Sequence, residues 1–319
     1  MTIRVNLSGG LGERQTAEAG WLRLARDAES IGYEHLMMSD HLGHRGAAPF
    51  TAMAAAASTT TRLRVGTYVL NNDFRHPSIV AHEVAALAEL SAGRVTLGLG
   101  AGHMKSEYDQ AGLAFDSAAV RVARMAESAE VITRLLQGGV VSFAGEHYHL
   151  DGHTVRAAGS APVRILIGGN GTRVLQLAGR VADVVGFTGF TPSPDGSDGD
   201  ITHFTEDGLA ERIGVAREAA GARWPLQIDI LVQMVIVTNR AEAAVERVAQ
   251  QMEVPTETVK SSPFVLVGSV KGIVQRLAEL EERLGVTSVT VFARRPHTDQ
   301  TELTMAPVIE ALGASALIR

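Results

Sequence analysis

The chain has no cysteine. Disulfides, thiolate metal centres and a cysteine nucleophile are thereby excluded. No apolar run approaches the length of a membrane span. The N-terminus, Met1-Thr2-Ile3-Arg4-Val5-Asn6-Leu7, alternates polar and apolar residues and lacks the basic, apolar and small-residue succession of a signal peptide. A cytoplasmic protein with no membrane partner is expected. Basic excess is missing too: 29 Lys and Arg stand against 35 Asp and Glu, for a net charge of −6. Nucleic acid is therefore not an expected partner, because neutralising phosphates needs a basic surface. What is present is apolar content of 45%, ample for a substantial core. A length of 319 residues suits two ordinary domains or one large one, and α/β barrels run long as single domains.

Periodicity divides the chain into alternating strands and helices. Strands are expected near 3–7, 33–38, 63–70, 94–100, 163–167, 183–187, 226–237 and 286–292. Between them lie helical patterns. Thr16 is placed to cap a helix with Trp21, Leu24, Ala25, Ala28 and Ile31 on one face. Pro49 and Pro77 stand at helix starts, where proline loses no hydrogen bond. Val122, Met125, Ala129, Ile132 and Leu136 form a long helical stripe. Ser269 is a cap for a helix ended by Gly285, and a last helix is expected over 301–312. Two segments break the alternation: a β-hairpin insertion at about 139–161, and a Pro/Gly/Ser/Asp-rich mobile loop at 189–204. Eight strands alternating with helices, with apolar central strands, favour a single α/β domain over 1–319, a (β/α)8 TIM-like barrel with insertion segments, over an open doubly wound sheet.

Ligands of such barrels sit at the C-terminal strand ends, where the unusual residues gather. Asp40-His41 closes the second strand and reads either as a tuned acid–base group or as a surface loop pair. Asn71-Asn72 closes the third. The fourth runs Arg94-Val95-Thr96-Leu97-Gly98-Leu99-Gly100-Ala101-Gly102-His103, an apolar strand ending in a glycine-rich turn that suits a flat or phosphorylated ligand. His103 and Glu107, four apart at a helix start, either face one bound ring or form a solvated first turn. Gly168-Gly169-Asn170-Gly171-Thr172 leads from a strand into a helix and fits an anion. His147-x-His149-x-Asp151-x-His153 has metal-like spacing, but on the inserted hairpin it reads as an exposed polar face, and no metal site is assigned. The dinucleotide fingerprint fails, since Gly98-x-Gly100-x-Gly102 lacks the required third spacing.

Taken in order, several segments resemble the bacterial-luciferase-like superfamily, especially its coenzyme F420-dependent oxidoreductases. They are Ser39-Asp40-His41, Arg75-His76-Pro77, 91–102, Glu107-Tyr108-Asp109, the hairpin 143–148, Gly168-Gly169-Asn170-Gly171 and Leu266-Val267-Gly268-Ser269. The resemblance implies a TIM-like barrel, often a homodimer, with a deazaflavin or flavin ring at its mouth and a small organic substrate. It implies a non-prolyl cis peptide at Tyr68-Val69, forming a bulge behind the ring. It places Asp40 and Asn71 near the ring's polar edge, and phosphate at Gly168, Gly169, Asn170, Gly171 and Thr172. Gly102, His103, Ser106 and Thr188 complete the implied cofactor set. His41, His103 and Glu107 are the implied catalytic residues, with His41 exchanging a proton as hydride moves. The sequence departs from the sugar-phosphate dehydrogenase branch at His103, where that branch carries a catalytic glutamate. F420 is the expected cofactor and FMN the alternative, the latter implying a monooxygenase. A metal-dependent TIM-barrel hydrolase using the histidines is the reading from another class.

Overall fold

The computed structural model describes residues 3–9, 17–43, 48–156, 162–193, 199–201, 203–293 and 303–316. Eight parallel strands close on themselves: β1 (Arg4–Gly9), β2 (His35–Met38), β3 (Arg64–Thr67), β4 (Val95–Gly100), β5 (Arg164–Gly168), β6 (Val184–Phe187), β7 (Gln227–Val232) and β8 (Ser288–Phe292). Each pairs with the next in sequence, and β8 pairs with β1 from Arg4 opposite Ser288 to Ser8 opposite Phe292. The expected (β/α)8 TIM-like barrel is therefore the architecture.

Helices α1 (Ala17–Ile31), α2 (Pro49–Thr59), α3 (Pro77–Leu90), α4 (Lys105–Ala111), α5 (Ala118–Leu136), α6 (Thr172–Val181), α7 (Glu206–Ala220), α8 (Ala241–Met252), α9 (Thr256–Ser261), α10 (Val270–Leu284) and α11 (Ala306–Ala316) accompany it. Local chemistry sets several ends. Ser117, Thr205 and Ser269 accept first-turn N–H groups of α5, α7 and α10. Gly285 ends α10 in the left-handed region. No helix among the described residues is long and apolar enough to cross a membrane.

Three expected boundaries change. The third strand stops at Thr67, and a two-residue strand, Leu70–Asn71, resumes beside the end of β4. The seventh, expected over 226–237, breaks at Gln233. There the Gln233 N–H donates to Phe264 O at 2.7 Å, and Met234–Val237 leaves the barrel to pair with Val265–Gly268. The hydrogen-bond ladder changes partner, which hydrophobicity alone does not reveal. The expected loop at 189–204 is anchored by an antiparallel pair, Thr191–Pro192 with Gly199–Asp200; its positions 194–198 and 202 lie outside the described residues. The hairpin insertion is present as Val141–Ala144 paired with His149–His153, and positions 157–161 lie outside the described residues. So do Thr16 and positions 301–302 of the expected last helix, which is described as Ala306–Ala316.

The barrel bore is not wholly apolar. Asp229 on β7 is buried and accepts from Ser288 Oγ at 2.6 Å, Thr290 Oγ1 at 2.8 Å and Asn6 Nδ2 at 2.9 Å. Asn6 Oδ1 meets His35 Nδ1 at 2.9 Å, and His35 Nε2 meets Thr96 Oγ1 at 3.1 Å. The Tyr68 phenol turns toward the same carboxylate without closing a full hydrogen bond. Burial, then the Asp229 charge, holds that phenol well above its usual pKa. Burial also raises Asp229 to about 6, against the opposing pull of its hydrogen-bond donors. The folded state thus holds the proton more tightly than the unfolded chain. Asp229's contribution to stability is greatest at low pH and declines as pH rises from about 4 to about 6, by ~3 kcal/mol at ~1.4 kcal/mol per unit. Urea unfolding across that window should show wild-type stability falling relative to Asp229→Asn; parallel curves would contradict this.

Candidate active site

The mouth is assembled from residues that leave the strands in different directions. Asp40 and His41, adjacent after β2, part company. His41 Nδ1 lies 2.8 Å from Oε1 of Glu107, and the Leu42 N–H reaches Oε2 at 3.4 Å. Glu107 lies in the first turn of α4 and is buried, with one carboxylate oxygen on His41 and the other on the Leu42 N–H. His103, just before α4, stands edge-on to His41 with ring centroids 6.3 Å apart. His103 is exposed, yet the protein atoms around it and then the charges of His41 and Arg121 lower its pKa. Glu107 thus holds the Nδ1 side of the His41 ring, and Nε2 is turned away from that carboxylate. Ser106, in the same turn of α4, is exposed.

Asp40 turns to the opposite side. Arg75 grips it through two bonds, 2.6 and 3.2 Å, and the Asn71 N–H donates to it at 3.0 Å. Asn71 Oδ1 then accepts from Tyr108 Oη at 3.0 Å and from the Asp73 N–H at 3.1 Å. Tyr108 also reaches Asp73, which Arg124 pairs at 2.9 Å while bonding Asp116 with its other arm. Burial and the Asp73 charge raise the Tyr108 phenol's pKa. Arg121 lies 3.9 Å over the Phe115 ring and donates to Ala101 O at 3.3 Å. Asp40 and Asn71 therefore brace the loop after β3, with their polar atoms engaged inside the protein.

The Tyr68–Val69 peptide is cis, at the position the family resemblance implies. Glycines clear space around it. A Cβ at Gly100 would sit 2.3 Å from Val69 Cγ2, at Gly168 2.7 Å from Val69 Cγ1, and at Gly186 2.6 Å from Tyr68 Oη. Such contacts are far inside van der Waals distance, so β4, β5 and β6 need glycine there. Gly102 sits at φ +73 under Tyr108 Oη, which is 2.1 Å from where a Cβ would lie. The turn from Gly168 through Gly169, Asn170 and Gly171 to Thr172 opens α6, and the capping position Gly171 brings no side-chain acceptor for the first-turn N–H groups. Asn170 is fixed by Phe190 O at 2.9 Å and Thr188 Oγ1 at 3.3 Å. Arg212 of α7 donates to Thr172 Oγ1 at 3.2 Å and is ion-paired with the neighbouring Glu211, and its Nε is buried with no hydrogen-bond partner. Unspent N–H groups, a cation and no Cβ at three turn positions fit a phosphate.

The hairpin histidines do not join this site. Glu127 of α5 holds the hairpin by accepting the N–H groups of Glu146, His147 and Tyr148 at 2.8 to 3.1 Å. Among the described residues, no three His, Asp or Glu side chains gather as a metal cluster.

A model of the family described as luciferase-like monooxygenase matches residues 1–262. The chain belongs to this family. Among curated relatives, the F420-dependent glucose-6-phosphate dehydrogenase of Nakamurella multipartita is 36% identical over 167 residues, 50% of this chain and 49% of that protein. The match thus spans about half the length of each. Two solved structures share the fold over nearly their full lengths. Monooxygenase RslO1 from Streptomyces bottropensis has a TM-score of 0.76 at 19% identity, covering 98% of this chain and 100% of that one. The coenzyme F420-dependent tetrahydromethanopterin reductase of Methanopyrus kandleri has a TM-score of 0.74 at 19% identity, covering 96% and 98%.

Sequence reasoning did not find the arginines that frame the mouth of this luciferase-like barrel. Arg121 and Arg124, three apart on α5, carried a detectable signal as cations beside an apolar stripe. Arg212 carried none, lying 40 positions from the residue it contacts. Asp40→Ala should leave Arg75 and the Asn71 N–H without their buried acceptor and lower stability by about 3 kcal/mol, read by urea unfolding. A loss under about 1 kcal/mol, the range of exposed pairs, would show that the Asp40–Arg75 pair is only a surface contact.

Proposed function

We propose that the protein is an oxidoreductase that moves a hydride between coenzyme F420 and a small organic substrate. The observation that carries this reading is the His41–Glu107 pair at 2.8 Å, set at the mouth of a barrel whose Gly168–Thr172 turn suits a phosphate. F420 is favoured over FMN because the relatives at about one-third identity bear F420-dependent names. When bound, the deazaflavin supplies the hydride-transfer centre, and positioning is the protein's task.

The turn residues Gly168, Gly169, Asn170, Gly171 and Thr172, with Arg212 and Thr188 beside them, hold the cofactor phosphate. Tyr68, Val69, Gly102 and Ser106 would line the ring, with Asp40 and Asn71 near its polar edge through the loop after β3 that they brace. Glu107 orients His41, and His41 Nε2 gives a proton to the substrate oxygen or takes one from it, according to direction. His103, held neutral near pH 7, faces the substrate beside His41. A histidine at this point, where the sugar-phosphate branch carries a glutamate, argues for a substrate other than glucose 6-phosphate. A homodimer in the cytoplasm belongs to the same proposal and rests on the family resemblance.

The family description, and the monooxygenase among the fold neighbours, support a second reading as an FMN-dependent monooxygenase. Fluorescence titration separates the two: F420 should bind saturably and FMN weakly, whereas binding of FMN alone overturns the F420 assignment. Once a substrate is found, His41→Ala should lower kcat by about 10²- to 10⁴-fold, the range for a positioned acid–base group, with F420 affinity nearly unchanged. Equal losses of kcat and F420 affinity would make His41 a binding residue instead.

A further inference from the structure

The N-terminal end of the barrel, opposite the mouth, holds a cavity of about 470 Å³. Its wall is made by Glu29 near the end of α1, Tyr33 and Glu34 before β2, Arg62, Leu63 and Arg64 leading into β3, Arg94 before β4, and Arg164 opening β5. Four guanidinium groups thus line one hollow with two carboxylates, on a chain whose net charge is −6.

The carboxylates are already engaged. Glu29 Oε1 accepts the N–H groups of Thr61, Arg62 and Leu63 at 2.8, 2.5 and 2.9 Å. Glu34 is shared between Arg4 at 3.3 Å and Arg164 at 3.6 Å. Of the four lining guanidinium groups, Arg164 shares Glu34, and the other three have no carboxylate within ion-pair distance among the described residues. Arg94 spends its donors on neutral oxygens of Ser91, Thr60, Leu63 and Ala57. Arg64 gives Nη2 to Val95 O at 2.9 Å, and its Nε is buried with no hydrogen-bond partner. Arg62 is exposed at the rim. The resulting positive field reaches the residues around it. Burial and the charges of Arg164, Arg94 and Arg4 lower the Arg64 pKa, with Glu34 acting the other way. Burial and the charges of Arg64, Arg164 and Arg4 hold His35 well below its usual value.

We propose that this cavity is a second binding site, taking a phosphate-class oxyanion, separate from the cofactor turn at the mouth. A tetrahedral oxyanion offers several acceptors at once, which suits converging guanidinium forks. It would neutralise charge that the two carboxylates leave unmatched. The volume leaves room for a small organic phosphate monoester as well as the free ion.

The probe is inorganic phosphate, titrated by calorimetry at constant ionic strength with chloride as the control. Because the mouth turn also suits phosphate, variants separate the sites. Arg62→Ala, which alters only an exposed side chain at the rim, and Arg64→Met should each weaken binding at this site by about tenfold, the effect of losing one charge-assisted contact. Arg212→Met should leave it intact. In the wild-type protein, phosphate should also shift the Arg64 Nε–H resonance in ¹⁵N-resolved spectra, a readout independent of whether a variant folds. F420 affinity should be unchanged in Arg62→Ala, so failure of this site and failure of the cofactor assignment give different patterns. Phosphate binding that is lost only in Arg212→Met, with no movement of the Arg64 signal, overturns the proposal.

Discussion

The mouth of this barrel depends on space. Tyr68 and Val69 push sideways between strand ends, and Gly100, Gly168 and Gly186 on three successive neighbours stand where any Cβ would collide with them. Interiors are packed too tightly for such overlaps to be absorbed, so the glycines and the bulge must occur together. Once the bulge is seated, Leu70–Asn71 can resume pairing beside β4. That placement brings the Asn71 N–H to Asp40 and Asn71 Oδ1 to Tyr108. The glycine-rich end of β4 thus makes room for side chains of the neighbouring strand. Phosphate is better served by the turn at Gly168–Thr172, where N–H groups at the start of α6 lack a side-chain cap.

Electrostatics then sorts the two residues that end β2. Asp40, nearly fully buried, is neutralised by Arg75. His41, partly exposed, is oriented by a buried glutamate. One carboxylate braces the loop and the other holds an imidazole, although both lie at the barrel mouth. Their difference is set by partners from other elements: a cation from the loop after β3 in one case, and a histidine from the loop after β2 in the other. Along the bore, Asp229 shows the same dependence on partners, since a buried carboxylate is tolerated where Ser288, Thr290 and Asn6 all donate to it.

Much of the frame was legible in the amino-acid order. Apolar runs separated by helical stripes predict eight strands, and eight paired strands close the barrel. The cap at Ser269 and the glycine after α10 are local signals that hold in three dimensions. The clustering of Asp40-His41, Asn71, His103 and Gly168–Thr172 at strand ends follows from period and connectivity alone. Where the reading erred, a long-range hydrogen bond intervened: Gln233 takes Phe264 O and diverts the seventh strand from the barrel.

The sequence by itself determined the alternation of elements, their inward faces and the end of the barrel at which polar residues collect, because these depend on spacing along one chain. Only the tertiary structure decided which of those residues touch. Glu107 meets His41 across 66 positions, Arg212 meets Thr172 across 40, and the arginines of the opposite cavity converge from three separate strand entrances. Partner choice among charges is a matter of distances between elements, and no local periodicity encodes those distances. That is why the site's candidate residues were readable before its pairings were.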